Sequence, residues 1–352
     1  MVSTMPTITV QAPAKAILLG EHAVNRGQAA LAVSVGVYAT CQVGIKRQVS
    51  GVRFSIGNRC DTTTRDAIFA FGEQIDALRA HQNYTAIQRI AADDWWAPHK
   101  YVLAALGNRL PAGLDIWFTS DIPPAAGLGS GGAAFVTLAV AMARLLQQQR
   151  DRTEIAAWAQ RGDIVAHGGT ASGLDTQTSL CGGAIRYTAT AGAEAIQYAP
   201  GLALVIGNTG VHAATSTVNG RVRMWLAEHP ARLHYFQEIG LLAHHAETAL
   251  RTGDWPVLGQ LLNLNQLVLE RIGVSCRELD DLIEAALGAG AFGAKLSGSG
   301  GGGIMIALVD DAHTAAVAHA IQAAGGTAIV APIGVEGVVT SGGNAFGRHR
   351  KV

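Results

Sequence analysis

Two hydrophobic rhythms alternate along the chain. Thr7 to Gln11 and Leu31 to Ile45 ("LAVSVGVYATCQVGI") set apolar residues, many of them valine, among small or polar ones at alternate positions, which predicts strands. "VRFSI" continues in the same style. From Thr64 to His81 and from Ala97 to Leu110 the spacing becomes helical, and "GLDIWFTSDI" returns to strand. That strand runs into "DIPPAAGLGSGGAAFVTLAVAMARLL" (Asp121 to Leu146), where two prolines and a glycine-rich turn open an unbroken apolar helix.

Asp151, three residues before Glu154, predicts a capping-box start to the next helix, which carries Asp163 and His167 one turn apart on one face. "GGAIRY" and "LALVIGN" read as strands. Thr215 to Gly290 is helical, with breaks near Pro230, Pro256 and Gly273. "AKLSGSGGGGIMIALV" then places a strand on each side of a glycine loop, followed by a helix from Asp311 to Ala324 and closing strands. The small, polar, proline-terminated stretch "TATAGAEAIQYAPG" predicts a boundary near residues 188 to 200. The expected fold is therefore of the α/β (α+β) class, with domains at 1–190 and 191–340 and a disordered tail at 341–352.

Composition narrows the function. At 352 residues, with 49% hydrophobic and 15% charged positions, the chain can bury the cores of two domains. Its 26 basic residues balance 26 acidic ones, so no overall field gathers nucleic acid or an anionic membrane; a small-molecule ligand, held by local groups, is expected instead. The N-terminus lacks the pattern of a signal peptide and no apolar run is long enough to span a bilayer, so the expected location is cytoplasmic. Cys41, Cys60, Cys181 and Cys276 are widely spaced, which predicts buried reduced thiols rather than a metal site.

Glycine, 43 residues in all, clusters instead of repeating. In "GLGSGG" a helix starts near Ser130, and its first N–H groups and dipole suit a phosphate, with glycine letting the chain wrap closely around it. Gly127, Gly129 and Gly132 also fit G-x-G-x-x-G, but Pro123-Pro124 and the missing early βαβ unit oppose a dinucleotide fold. Neither glycine cluster ends in Gly-Lys-Ser/Thr, so there is no Walker A motif. Alone, "KLSGSGGGG" would read as a flexible hairpin.

Together with "PAKAILLGEHAV", these clusters resemble, in order, the three motifs of the GHMP kinase superfamily, and "HGGTASGLD" looks most like its mevalonate kinase branch. The resemblance runs from Pro13 to about Ala307. It implies an N-terminal domain like the second domain of ribosomal protein S5, a ferredoxin-like C-terminal domain, and ATP-dependent phosphorylation of the primary hydroxyl of mevalonate with Mg²⁺, the alternatives being a kinase of this superfamily for another small alcohol (a sugar or another mevalonate hydroxyl) or a non-catalytic nucleotide-binding sensor. It implies Asp175 and Lys15 as catalytic residues. Ser120, Gly127, Leu128, Gly129, Ser130, Gly131, Gly298, Ser299 and Gly300 would hold ATP, and Glu21, His22 and Thr215 would face the substrate. Asp163 would bind the metal. A homodimer is left open. Four features depart from the family's pattern: Gly131 where a second serine is usual, Asp163 where a glutamate is usual, the loop "HGGTASG" without its common proline, and Thr176 where an asparagine often follows the catalytic aspartate.

Overall fold

The computed structural model describes residues 7–46, 48–123, 126–341 and 343–344. The chain opens with β1 (Ile8–Leu19) and β2 (Ala30–Ile45), an antiparallel pair joined through a 3-10 turn at Val24–Arg26. β3 (Val52–Ile56), β4 (Arg59–Thr63), α1 (Arg65–Ala80), α2 (Tyr84–Asp93), α3 (Ala97–Ala104) and β5 (Leu114–Ser120) follow. Then come α4 (Ser130–Leu145), α5 (Arg152–Ala166), α6 (Leu174–Cys181), β6 (Ala184–Thr188) and β7 (Gly192–Ile196). The second half holds β8 (Ala203–Asn208), α7 (Thr215–Glu228), α8 (Leu233–Thr252), α9 (Trp255–Ile272), α10 (Arg277–Gly288) and β9 (Gly293–Ser297). It closes with β10 (Ile304–Val309), α11 (Asp311–Ala323), β11 (Thr327–Val330), β12 (Val339–Thr340) and β13 (Gly343–Asn344).

Among the described residues these strands make two sheets. The first has the order β13-β12-β1-β2-β5-β3-β4, with the β6–β7 hairpin added where β2 begins. The second has the order β11-β8-β10-β9, every neighbouring pair antiparallel. Its chain order is βαββαβ, the ferredoxin-like pattern, with α7 to α10 filling the first crossover and α11 the second. α4 lies across β1 and β2 and against α5, so it is buried on nearly every side and its sequence is apolar all round.

Several expectations need correction. β1 continues to Leu19 rather than stopping at Gln11, because Pro13 sits at a register shift where the missing N–H breaks no ladder bond. The helix expected from Ala97 to Leu110 ends at Ala104; Gly107, at φ 54°, turns the chain into a 3-10 segment. The boundary drawn at 190/191 splits a hairpin, since β7 pairs with β6 and belongs to the first sheet. Its alanines and glycine hid the alternation. The second domain is an insertion, because β12 returns to pair with β1. Gly343 and Asn344 of the expected tail form β13, and residues 342 and 345–352 lie outside the described residues. Cys41 is buried, but Cys60 is exposed on β4 and the other two thiols are partly covered; all four are unpaired.

Two side-chain devices join the domains. Ser297 of β9 bonds to β1 at Ile17: its hydroxyl accepts from Ile17 N at 2.9 Å and donates to Ile17 O at 3.0 Å. A buried ion pair, described below, lies alongside. The hydrophobic core is continuous across the junction, running from β1 and β2 to Leu204, Ile306 and Leu308.

The contact between α4 and α5 generates a stability prediction. Alanine at Gly162 would favour the helix by about 1 kcal/mol at an exposed site. Here its Cβ would stand 2.5 Å from Phe135 Cγ. Overpacking outweighs propensity, so Gly162→Ala is expected to lower stability by about 1–3 kcal/mol. Urea unfolding measures it, and an unchanged or raised midpoint contradicts the packing.

Candidate functional site

The site begins with a lysine in an unusual place for one, the interior of β1. Lys15 is 2% exposed, and its ammonium lies 3.1 Å from Asp175 Oδ1. Its backbone N–H donates to Leu128 O at 2.9 Å, so the glycine turn is laid directly beside the strand. Gly129 caps α4 at φ 71°, ψ 31°, and a Cβ there would meet Lys15 Cγ at 2.8 Å. Both the backbone angle and the close approach call for glycine. One turn further, a Cβ on Gly132 would meet Asp175 Cβ at 2.9 Å, so α4 and α6 approach closely at their first turns. Asp175 occupies the first turn of α6, behind Gly173 at φ 87°. Two helix N-termini thus converge beside one ammonium, and their unpaired N–H groups and dipoles favour negative charge between them.

Below this lies a second, wholly buried pair. Glu21 Oε1 accepts from Lys295 Nζ, neither side chain having solvent exposure. Burial drives the Glu21 carboxyl up and the Lys295 ammonium down, and each is opposed chiefly by the charge of the other. Glu21 Oε2 has no hydrogen-bond partner among the described residues. His22, at φ 58°, is buried, and burial lowers its pKa to about 4, so the ring is neutral at physiological pH. Its Nε2 is 2.9 Å from Ser299 O and therefore carries the proton it donates there. Thr215 begins α7 with its hydroxyl 3.3 Å from that of Ser299.

Asp163 is the third acid. It lies in the last turn of α5, 1% exposed, with His167 Nδ1 4.0 Å from its Oδ1. Burial, followed by opposing attraction from His167 and then the repulsion of Asp175, leaves its pKa raised to about 7. Oδ1 has no hydrogen-bond partner among the described residues. A buried carboxylate oxygen without a donor, beside a second carboxylate, is chemically suited to a hard cation such as Mg²⁺.

Lys15, Glu21, His22, Asp163, Asp175 and Thr215 line one cavity of about 1060 Å³, with Gly127, Gly298 and Ser299 at its edge. The two glycine loops abut: a Cβ on Gly127 would meet Ser297 O at 3.3 Å. Leu128, Gly129, Ser130 and Gly131 form the turn and helix start alongside, Leu128 with its side chain in the core. Gly131 faces Phe135, whose ring would be 3.2 Å from a Cβ there, so an aromatic occupies the space of the usual serine. Two expected residues stand apart. Ser120 is exposed at the end of β5, where its hydroxyl accepts from Ile122 N at 3.1 Å to close a turn. Gly300 packs on Val274, whose carbonyl would be 2.0 Å from a Cβ. Sequence reasoning missed Lys295 and Ser297 as site-supporting residues, although a lysine inside the apolar run "GAKLS" was a signal for the first.

Asp163 gives a pH prediction. In the unfolded chain its carboxyl loses its proton near 3.8, in the fold near 7, so the unliganded native state binds more protons between these values and stability falls as pH rises through them. Asp163→Asn removes that loss. In metal-free buffer the variant's advantage over the parent is expected to be larger at about pH 8 than at about pH 5. A pH-independent difference in urea unfolding would show that the carboxylate ionises without penalty.

Comparison with known proteins accords with this geometry. Residues 97–183 match the family described as GHMP kinases N terminal domain, and residues 246–327 match GHMP kinases C terminal. The mevalonate kinase of Pyrococcus abyssi is 30% identical over 341 residues, covering 95% of this chain and 98% of that protein. The human mevalonate kinase is 28% identical over 94% of each. The crystal structure of L. major mevalonate kinase in complex with R-mevalonate superposes with a TM-score of 0.74 at 27% identity, covering 94% of this chain and 97% of that one. A Lactococcus lactis galactokinase complexed with galactose, 20% identical, shares the fold with the same TM-score over 96% of this chain and 95% of its own.

Proposed function

The chain belongs to the GHMP kinase family, and from that premise we propose that it transfers the γ-phosphoryl group of ATP to the primary hydroxyl of mevalonate, giving 5-phosphomevalonate and ADP. The acceptor's identity is supported by the mevalonate kinases that align with nearly the whole chain. The observation that carries the chemistry is the Lys15–Asp175 pair, held between the N-termini of α4 and α6 on the wall of the shared cavity.

Phosphoryl transfer requires the attacking oxygen, phosphorus and leaving oxygen to lie nearly in line while the phosphate charge is neutralised. The open N–H groups of Ser130, Gly131 and Gly132 receive the phosphate oxygens. Asp175 orients the acceptor hydroxyl and takes its proton, or favours its loss, as the new O–P bond forms and the bond to the ADP oxygen breaks. Lys15 balances the negative charge on the attacking oxygen, so the alcohol ionises more readily beside it. Asp163, through Oδ1, would hold Mg²⁺. When bound, that ion supplies charge neutralisation at the phosphates. His22 and Thr215 keep Ser299 and its loop against the cavity.

A coupled ADP-release assay over mevalonate, phosphomevalonate, homoserine and common hexoses tests the acceptor. Mevalonate should give the highest specificity constant, and a hexose exceeding it contradicts the reading. Asp175→Asn should leave nucleotide binding nearly intact while turnover falls by about two orders of magnitude or more, roughly 3 kcal/mol. Near-parental turnover in that variant removes Asp175 as the base.

A further inference from the structure

The far end of the cavity carries positive charge with no acid to answer it. α7 presents a stripe to the cavity: Thr215, Asn219 and Arg223 at successive intervals of four, then Leu226 and Ala227. Thr215 marks the catalytic end through Ser299. Arg223, eight residues on, has its Cα about 12 Å further along the helix axis. Helical side chains lean toward the helix N-terminus, and Arg223 Nη2 lies 4.0 Å from where a Cβ on Gly220 would stand, within one turn of its own Cα in the direction of Thr215.

Arg26 enters the same space from the 3-10 turn. It is fixed at two points: Nη1 donates to His22 O at 2.7 Å, and the guanidinium lies 4.0 Å from the Phe236 ring centroid. That leaves most of its five N–H donors uncommitted. Arg223 makes no hydrogen bond or ion pair among the described residues. The acids on the cavity wall are Glu21, Asp163 and Asp175, and each already faces its own partner or the reacting centre. Burial and then the charge of Arg223 lower the Arg26 pKa, which places the two cations within each other's field. A pair of like charges facing one cavity is destabilised until an anion lies between them.

We infer that Arg26 and Arg223 form the subsite for the carboxylate of the acceptor, so that they select acidic alcohols and set which end of the molecule reaches Asp175. This deepens the mevalonate reading and rests on it. Planar guanidinium forks match a carboxylate better than point charges do. The neighbouring Leu226, Ala227 and Leu233 give an apolar wall to the same end, suited to a methyl-bearing carbon chain. A neutral sugar would leave both cations unanswered, and polar groups left unpaired are a strong basis for rejection.

Steady-state kinetics with two acceptors tests this: mevalonate, and the neutral triol obtained by reducing its carboxylate to an alcohol. Arg223 is on the exposed side of α7, so Arg223→Gln leaves the core intact. It is expected to raise KM for mevalonate about 10- to 100-fold with kcat changed by less than about threefold, and KM for ATP unchanged, as expected for loss of a charge-assisted contact. For the triol the parent and the variant should differ little. Arg26→Lys retains charge without the fork and should raise KM for mevalonate by a smaller factor. Unchanged KM for mevalonate in Arg223→Gln overturns the inference, as does a rise in KM for ATP instead. If the parent protein phosphorylates another alcohol and not mevalonate, the acceptor assignment fails first, and the carboxylate subsite falls with it.

Discussion

One desolvated ammonium governs the arrangement of the cleft. A lysine 2% exposed in the middle of a strand is stable only if its charge is answered nearby, and Asp175 answers it at 3.1 Å. Meeting that demand fixes several other parts. α6 must begin where its first turn can offer a carboxylate. Gly132 must lack a side chain so that α4 and α6 can approach, and Gly129 must lack one so that Lys15 can pass. The glycine turn is therefore shaped as much by the lysine beside it as by any phosphate it would hold. The cleft is left with cations and helix N-termini that outnumber its ionised acids, which suits two anionic reactants.

The same region is where the two domains are joined. Ser297 bonds both backbone groups of Ile17, Lys295 meets Glu21, and His22 meets the carbonyl of Ser299. Each contact pairs an N-terminal residue within eight positions of Lys15 with a residue of the β9–β10 hairpin. Removing one member of the buried Glu21–Lys295 pair would strand the other charge. His22, held neutral by burial, contributes hydrogen bonding without adding a further charge.

Much of this was legible in the sequence, and the failures have physical causes. The capping box at Asp151 and Glu154 formed as its spacing predicts, with both reciprocal bonds present. The strand–loop–strand unit around the second glycine cluster and the long helical stretch after Thr215 followed from period alone. β1 was cut short because Pro13 and Lys15 look like interruptions, and only the register shift and the distant Asp175 make them tolerable. α6 was overlooked because its buried face is polar: Thr176 and Thr178 bond back to Gly173 O and Leu174 O, a compensation invisible to hydrophobic periodicity. β7 falls inside the stretch that predicts a domain boundary, because alanine and glycine carry little strand signal. Lys15 and Asp175, 160 positions apart, could be paired beforehand only through motif resemblance; composition and spacing had no means of bringing them together.

The return of β12 to the first sheet has a mechanical consequence. The ferredoxin-like domain leaves the first domain after β7 and rejoins it at β12, so it is tethered by two chain crossings rather than one. A body tied at a single point can pivot in any direction, whereas one tied at two turns most easily about the line joining them. Such a suspension favours one rotational degree of freedom over twist and slide. With Ser297 and Lys295 bonded to Ile17 and Glu21 at the same junction, the two crossings restrict how the β9–β10 loop can leave Lys15, and a cut in either crossing would leave both sheets whole.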